Sequence, residues 1–182
     1  MGLELARAAA KPQNKVTLIT ATTHLPLAKG VEVVEVESAG DMFEAVKSRF
    51  EKCDCLIMAA AVSDYKPFAQ LPVKIKRGKR VITLKLKPTV DILKWAGSHK
   101  RKGQIVVGFA LEDKNLRANA QKKLRDKNLD MIVANKPSAV GAEKTSVWIK
   151  TDSGDWLAIS NKTKTAIARR IIRLAEEHIC FS

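Results

Sequence analysis

Cys55-Leu-Ile-Met-Ala-Ala60 is a run without charge or strong polarity, apolar at odd and even positions alike. Successive strand residues point to opposite faces, so this run predicts a strand buried on both sides, as in the centre of a parallel sheet covered by helices. Ile105-Val-Val-Gly108 and Met131-Ile-Val-Ala134 share that character, and residues 113–127 between them read as a helix. Upstream, Lys15-Val-Thr-Leu-Ile-Thr20 and Val31-Glu-Val-Val-Glu-Val36 are β-branched runs, while residues 3–11 form an alanine-rich helical stretch ended by Pro12. In residues 41–52, Met42, Ala45, Val46 and Phe50 recur at helical spacing, with Ser38 or Gly40 able to open the helix. Strand and helix alternate as in a doubly wound sheet with right-handed crossovers, so the expected fold is α/β, a three-layer sandwich around a mainly parallel sheet.

Two stretches interrupt the alternation. Residues 71–87 contain two alternating segments around Arg77-Gly78-Lys79, a hairpin signal that predicts a β-flap projecting from the sheet. In residues 146–159, Val147-Trp-Ile149 and Trp156-Leu-Ala-Ile159 flank the turn-rich Asp152-Ser-Gly-Asp155, which predicts an antiparallel hairpin at the sheet edge. The chain closes with a helix expected over residues 162–179, capped by Ser160 or Asn161, whose Ile167, Ile171, Leu174 and Ile179 form one apolar stripe.

A length of 182 residues suits one domain, and 46% hydrophobic with 29% charged residues is a globular balance. No apolar run reaches the about 18–20 residues of a membrane-spanning helix, and Glu4 and Arg7 fall inside what a signal core would occupy. The three cysteines, Cys53, Cys55 and Cys180, lack zinc-finger spacing and read as reduced thiols of a cytoplasmic protein. A net charge of +14 favours an anionic partner: a nucleic acid, a nucleotide or a phosphorylated metabolite. With only 5% aromatic residues, not interleaved with the lysines, a single-stranded nucleic-acid platform is disfavoured.

Open parallel sheets bind ligands beyond the carboxyl ends of their strands, which directs attention to Ala61-Val-Ser-Asp-Tyr65, Phe109-Ala-Leu-Glu112 and Asn135. Small residues at Ala59 and Ala60 let a flat ligand approach the backbone, and Asp64 can accept a sugar hydroxyl; alanines that pack on helices and an aspartate that starts a turn would look the same. Lys74 and Lys76, two apart on a strand, point the same way and can clamp phosphate oxygens or solvate a hairpin face. Lys123 and Lys127 are neighbours on one helical face, suited to an anion or to solvent. Glu112 and Asp113 read as acidic residues favoured by a helix N-terminus. His24, His99 and His178 are scattered, and neither a glycine-rich phosphate loop nor a serine nucleophile elbow is present.

The succession Ala59-Ala-Ala-Val-Ser-Asp-Tyr65, Val73-Lys-Ile-Lys76, Leu86-Lys-Pro-Thr-Val-Asp-Ile-Leu93, Val107-Gly-Phe-Ala-Leu-Glu112, Lys123-Leu-Arg-Asp-Lys127 and Leu129-Asp-Met-Ile-Val-Ala-Asn135 resembles, in order and spacing over nearly the whole chain, the bacterial phosphopantothenate-cysteine ligase family. The resemblance implies a Rossmann-like fold and a homodimer in which the flap takes part. It also implies CTP with Mg2+ as the activating nucleotide, and 4'-phosphopantothenate and cysteine as the acids joined, through an acyl-cytidylate. It places Lys74 on the triphosphate as the catalytic candidate and Lys123 and Lys127 on the nucleotide. Asp64 falls on the cytidine, and Phe109 with Lys87, Pro88, Thr89 and Val90 lines the base pocket, where Ala59 and Ala60 leave room.

The family opens with a strand and glycine-rich turn, then an asparagine and paired serines just before a Met-Gly. Met1-Gly2 matches that Met-Gly, so residues 1–182 are expected to be a single ligase-like domain lacking the first strand and turn. Three readings stand side by side: the ligase itself, with or without a flavin-containing decarboxylase domain upstream; an inactive nucleotide-binding or regulatory remnant; and a basic nucleic-acid-binding domain.

Overall fold

A computed structural model describes residues 1–21, 26, 29–69 and 81–181. Its main sheet has five strands in the order β3 (Cys55–Met58), β6 (Ile105–Leu111), β7 (Met131–Asn135), β8 (Lys144–Thr151) and β9 (Leu157–Thr163). β3, β6 and β7 run parallel, whereas β8 and β9 return antiparallel as the edge hairpin. Burial is deepest on two of the three unbroken apolar runs, where Val106, Val107, Ala110, Met131, Val133 and Ala134 are fully buried. The third, β3, ends the sheet instead of lying at its centre, and its residues are only half-buried because no strand pairs with its other side among the described residues.

Alternation along these strands divides the core in two. Ile105, Val107, Met131, Val133, Val147 and Ile149 face a layer made by α1 (Gly2–Ala9) and α5 (Lys164–Phe181). Val106, Ala110, Ile132 and Ala134 face α2 (Ala39–Phe50), α3 (Ile92–His99) and α4 (Leu116–Asp126). The three-layer α/β sandwich is therefore the observed architecture.

β1 (Val16–Thr20) and β2 (Val31–Glu35) pair in parallel as a separate two-stranded sheet. α1 and α2 both contact β1, while Ala8 and Ala9 of α1 and Phe50 of α2 belong to the clusters that hold β3. The helical layers thus continue past a break in the sheet. Among the described residues, β1 pairs only with β2 and β3 only with β6, and every residue of β1 and β3 is half-buried.

Local chemistry sets the element ends. Ser38 opens α2 through a reciprocal box in which its Oγ accepts from the Asp41 N–H (3.2 Å) and Asp41 Oδ2 accepts from the Ser38 N–H (2.9 Å). The closing helix starts at Lys164, two residues later than expected, and its cap is Thr163, whose Oγ1 accepts from the Ala166 N–H (3.3 Å). Ser160 and Asn161 do not cap it because both lie in β9, where Asn161, at φ 49°, donates its N–H to Ser146 Oγ beside a bulge. α4 likewise starts at Leu116 rather than 113, after a left-handed Asn115.

α3 has no counterpart in the sequence reading. It is short, and its docking rests on Gly97, where a Cβ would lie 1.8 Å from the Lys127 carbonyl oxygen. Of the expected flap, the residues around Arg77-Gly78-Lys79 lie outside the described ones. Its base is seen as β4 (Tyr65–Pro67) paired antiparallel with β5 (Leu86–Pro88), and the Phe68 N–H reaches the Lys85 carbonyl (2.9 Å).

Candidate functional site

The carboxyl ends of β3, β6 and β7 lie side by side, with Met58 opposite Gly108 and Leu111 opposite Asn135. Past β3 the chain leaves through Ala59, half-buried against the core, and exposed Ala60, then turns at Ser63 and Asp64. That turn is clasped to the segment after β5: Thr89 donates its N–H to the Asp64 carbonyl (2.9 Å) and its Oγ1 to the Ser63 carbonyl (2.6 Å). Three candidate residues distant in sequence, Asp64, Thr89 and Val90, are thereby brought to one rim. Lys87 and Pro88 continue it in β5, where the Lys87 ammonium sits 5.3 Å from the Phe68 ring centroid.

The two helix lysines both meet carboxylates. Lys123 Nζ donates to Glu112 Oε1 (2.6 Å), and Lys127 Nζ lies 2.8 Å from Asp91 Oδ2. Asp91 also caps α3, accepting from the Lys94 N–H (3.0 Å), and so ties that helix start to the end of α4. Burial pushes the Asp91 carboxyl up, but the hydrogen bonds from Lys127 and the Lys94 N–H, with both lysine charges, outweigh it and hold the group below its usual range. Glu112 behaves alike: burial raises it, and hydrogen bonds from Lys123 and Asn119 lower it further. Both carboxylates are therefore ionised at neutral pH.

Neither carboxylate was singled out as functional by the sequence. Glu112 stands before the first turn of α4 and its partners are side chains, so the helix-dipole account does not describe it. An aspartate directly before Ile92-Leu-Lys-Trp95 was the available signal for Asp91, obscured by nearby Pro88. Phe109 lies on β6 and packs into the cluster facing α1 and α5, on the opposite face of the sheet from α4. Lys74 and His24 lie outside the described residues.

Other titratable groups are accounted for structurally. Cys55 is pushed up to about 12, chiefly by burial, and burial also raises Cys53, so neither is a thiolate nucleophile. His99 stacks on Trp95 (4.6 Å between centroids) and His178 lies 3.2 Å from Asp152. No group of three or more His, Cys, Asp or Glu side chains that could hold a metal ion occurs among the described residues.

A mainly parallel sheet covered by helices on both faces, with paired lysines and carboxylates beyond its strand ends, defines a Rossmann-like α/β domain. The chain belongs to the family of the DNA/pantothenate metabolism flavoprotein C-terminal domain, whose model matches residues 1–178. It is 46% identical over 143 residues to the coenzyme A biosynthesis bifunctional protein CoaBC of Bacillus subtilis, covering 78% of this chain and 35% of that protein. It is 41% identical over 178 residues to a cysteine/cysteine sulfinic acid decarboxylase of an unknown prokaryotic organism, covering 95% of this chain and 50% of that protein. The chain thus spans half or less of the length of these curated relatives. A crystal structure of the C-terminal domain of CoaBC superposes with a TM-score of 0.82 at 34% identity, covering 100% of this chain and 83% of the other.

Proposed function

We propose that this chain is a phosphopantothenate-cysteine ligase domain, joining 4'-phosphopantothenate to cysteine in coenzyme A biosynthesis with CTP as the activating nucleotide. The observation that carries the reading is the whole-chain likeness, in sequence and fold, to the C-terminal domain of CoaBC. The lysines gathered at the strand ends, Lys87, Lys123 and Lys127, support it. A carboxylate and a triphosphate repel each other, so cations must hold them together and stabilise charge developing on the phosphoryl oxygens.

In the proposed reaction a pantothenate carboxylate oxygen attacks the α-phosphorus of CTP and the bond to pyrophosphate breaks, leaving an acyl-cytidylate. The cysteine amine then attacks the acyl carbon, CMP departs with the bonding pair, and the nitrogen loses a proton. Lys123 and Lys127 turn from Glu112 and Asp91 toward phosphate oxygens, and Lys74 joins them from the flap. Asp64 receives the cytidine, with Phe109 and the segment Lys87, Pro88, Thr89 and Val90 around the base and Ala59 and Ala60 leaving it room. Mg2+ bound with the triphosphate would neutralise part of its charge, and no residue of this chain is assigned to hold it.

A homodimer is part of the proposal. Tyr65, Phe68, Val81, Ile82, Leu84 and Leu86, around the flap base, are 56–96% exposed, an apolar surface suited to a second copy. An upstream flavin-containing decarboxylase domain is proposed as partner, because the family is named for the C-terminal domain of a flavoprotein and a relative is named bifunctional. The setting proposed is the cytoplasm.

The test is pyrophosphate release from CTP and Mg2+ with 4'-phosphopantothenate, with and without cysteine, alongside calorimetric titration. Release that requires phosphopantothenate and exceeds that with ATP is expected. CTP binding without release would favour the inactive nucleotide-binding remnant, and neither binding nor release would overturn both.

A further inference from the structure

We propose that the chain carries a second ligand site, beside the strand-end rim and just past the carboxyl end of β7, that takes a small phosphate monoester bearing a flat organic group. Two clefts of about 310 and 330 Å³ adjoin at the junction of α4, β7 and β8, and they share Lys136 and Trp148. The first is walled by the first turn of α4, with Leu116 and Ala118. The second is polar, with Lys144 and the hydroxyls of Ser138, Thr145 and Ser146 beside Lys136.

The register explains the space beside the indole. Trp148 pairs with Ala134 on β7 and Ala158 on β9, so small residues flank the ring on both neighbouring strands. Its cluster lies on the α4 face of the sheet, and Ala158 is exposed, so no helix fills the β9 side. Arg117 stands at the same end, 5.9 Å from the Trp156 ring centroid.

Electrostatics selects the ligand. At the strand-end rim Lys123 and Lys127 each have a carboxylate beside them. Lys136, Lys144 and Arg117 form no ion pair among the described residues, and Glu143, the sequence neighbour of Lys144, forms none with it. Unneutralised ammonium groups beside hydroxyl donors suit the acceptor oxygens of a phosphate dianion. The adjoining apolar cleft suits a flat group stacked by Trp148. The size is that of a small-molecule site, and the aromatics do not follow one another along a groove as a nucleic-acid strand requires. The proposal stands whether or not the domain is a ligase.

The test is a two-dimensional NMR titration of the full chain with phenyl phosphate, inorganic phosphate, benzyl alcohol and an oligothymidylate. Phenyl phosphate is expected to shift the Trp148 indole and the amides of Lys136 and of residues 144–146. Its affinity should exceed that of inorganic phosphate and of benzyl alcohol at least about tenfold. The exposed double variant Lys136→Ala/Lys144→Ala, its fold verified by its own spectrum, should lose that gain, and Lys123→Ala should keep it. Equal shifts from phenyl and inorganic phosphate, shifts confined to the strand-end rim, no shifts at all, or tighter binding of the oligothymidylate would each overturn the proposal.

Discussion

Replacing Gly97 by alanine tests the contact that holds α3 against α4 and, through it, one side of the strand-end rim. In an exposed helix this exchange stabilises, by about 0.5–1 kcal/mol, because glycine loses more backbone entropy on folding. Gly97 is different: the added Cβ would stand 1.8 Å from the Lys127 carbonyl oxygen and 3.0 Å from that of Asn128. A tolerated carbon–oxygen approach is about 3.3 Å, so the helices must part by about 1.5 Å. Overpacking of this kind costs about 1–3 kcal/mol. The parting also breaks the 2.7 Å bond from Asn128 Nδ2 to the Gly97 carbonyl, a loss of about 1 kcal/mol. The expected destabilisation is about 2–4 kcal/mol, read as a fall of about 1–2 M in the urea midpoint. Gly40→Ala, at an exposed position of α2 with its nearest neighbour 3.5 Å away, is the control and should hold or raise the midpoint. A Gly97→Ala midpoint equal to or above wild type would refute the reasoning.

Three other outcomes are expected. Glu112 has a folded-state pKa below its ordinary value of 4.5, so the stability it contributes is present above that pH and lost as pH falls through the folded value. Glu112→Gln should therefore be less stable than wild type at pH 7 and converge with it only once the pH has fallen below the lowered folded-state value, measured by urea melts across pH. Cys55, held near 12 by burial, should react with iodoacetamide at pH 8 at least about tenfold more slowly than in urea-unfolded chain, by mass spectrometry; equal rates would contradict its placement. Ile82→Glu/Leu84→Glu, at side chains 57% and 61% exposed, should abolish the proposed homodimer in light scattering without lowering the melting temperature.

The sequence by itself determined the layers. The unbroken runs at Ile105 and Met131 can be buried only between two helical layers, and the Asp152-Ser-Gly-Asp155 turn specifies the edge hairpin, because burial and turn chemistry are local to a run of residues; the similar run at Cys55 ends the sheet and is half-buried. The positions of Ala59, Ala60 and Asp64 just past β3 were legible for the same reason. What the tertiary structure alone decided are the contacts between elements distant in the chain. Asp91 and Glu112 are joined to Lys127 and Lys123 over 36 and 11 residues. α3 was hidden because its docking comes from the space at Gly97 rather than from its own eight residues, too few for a helix to hold by propensity. The start of α5 was displaced because ladder pairing of Lys162 and Thr163 with β8 carries the strand past Ser160 and Asn161. The place of the break between β1 and β3 could not be read from the residue pattern, since pairing between strands depends on which edges meet in space, and periodicity along one strand carries no record of its neighbour; only the family resemblance implied a lacking strand.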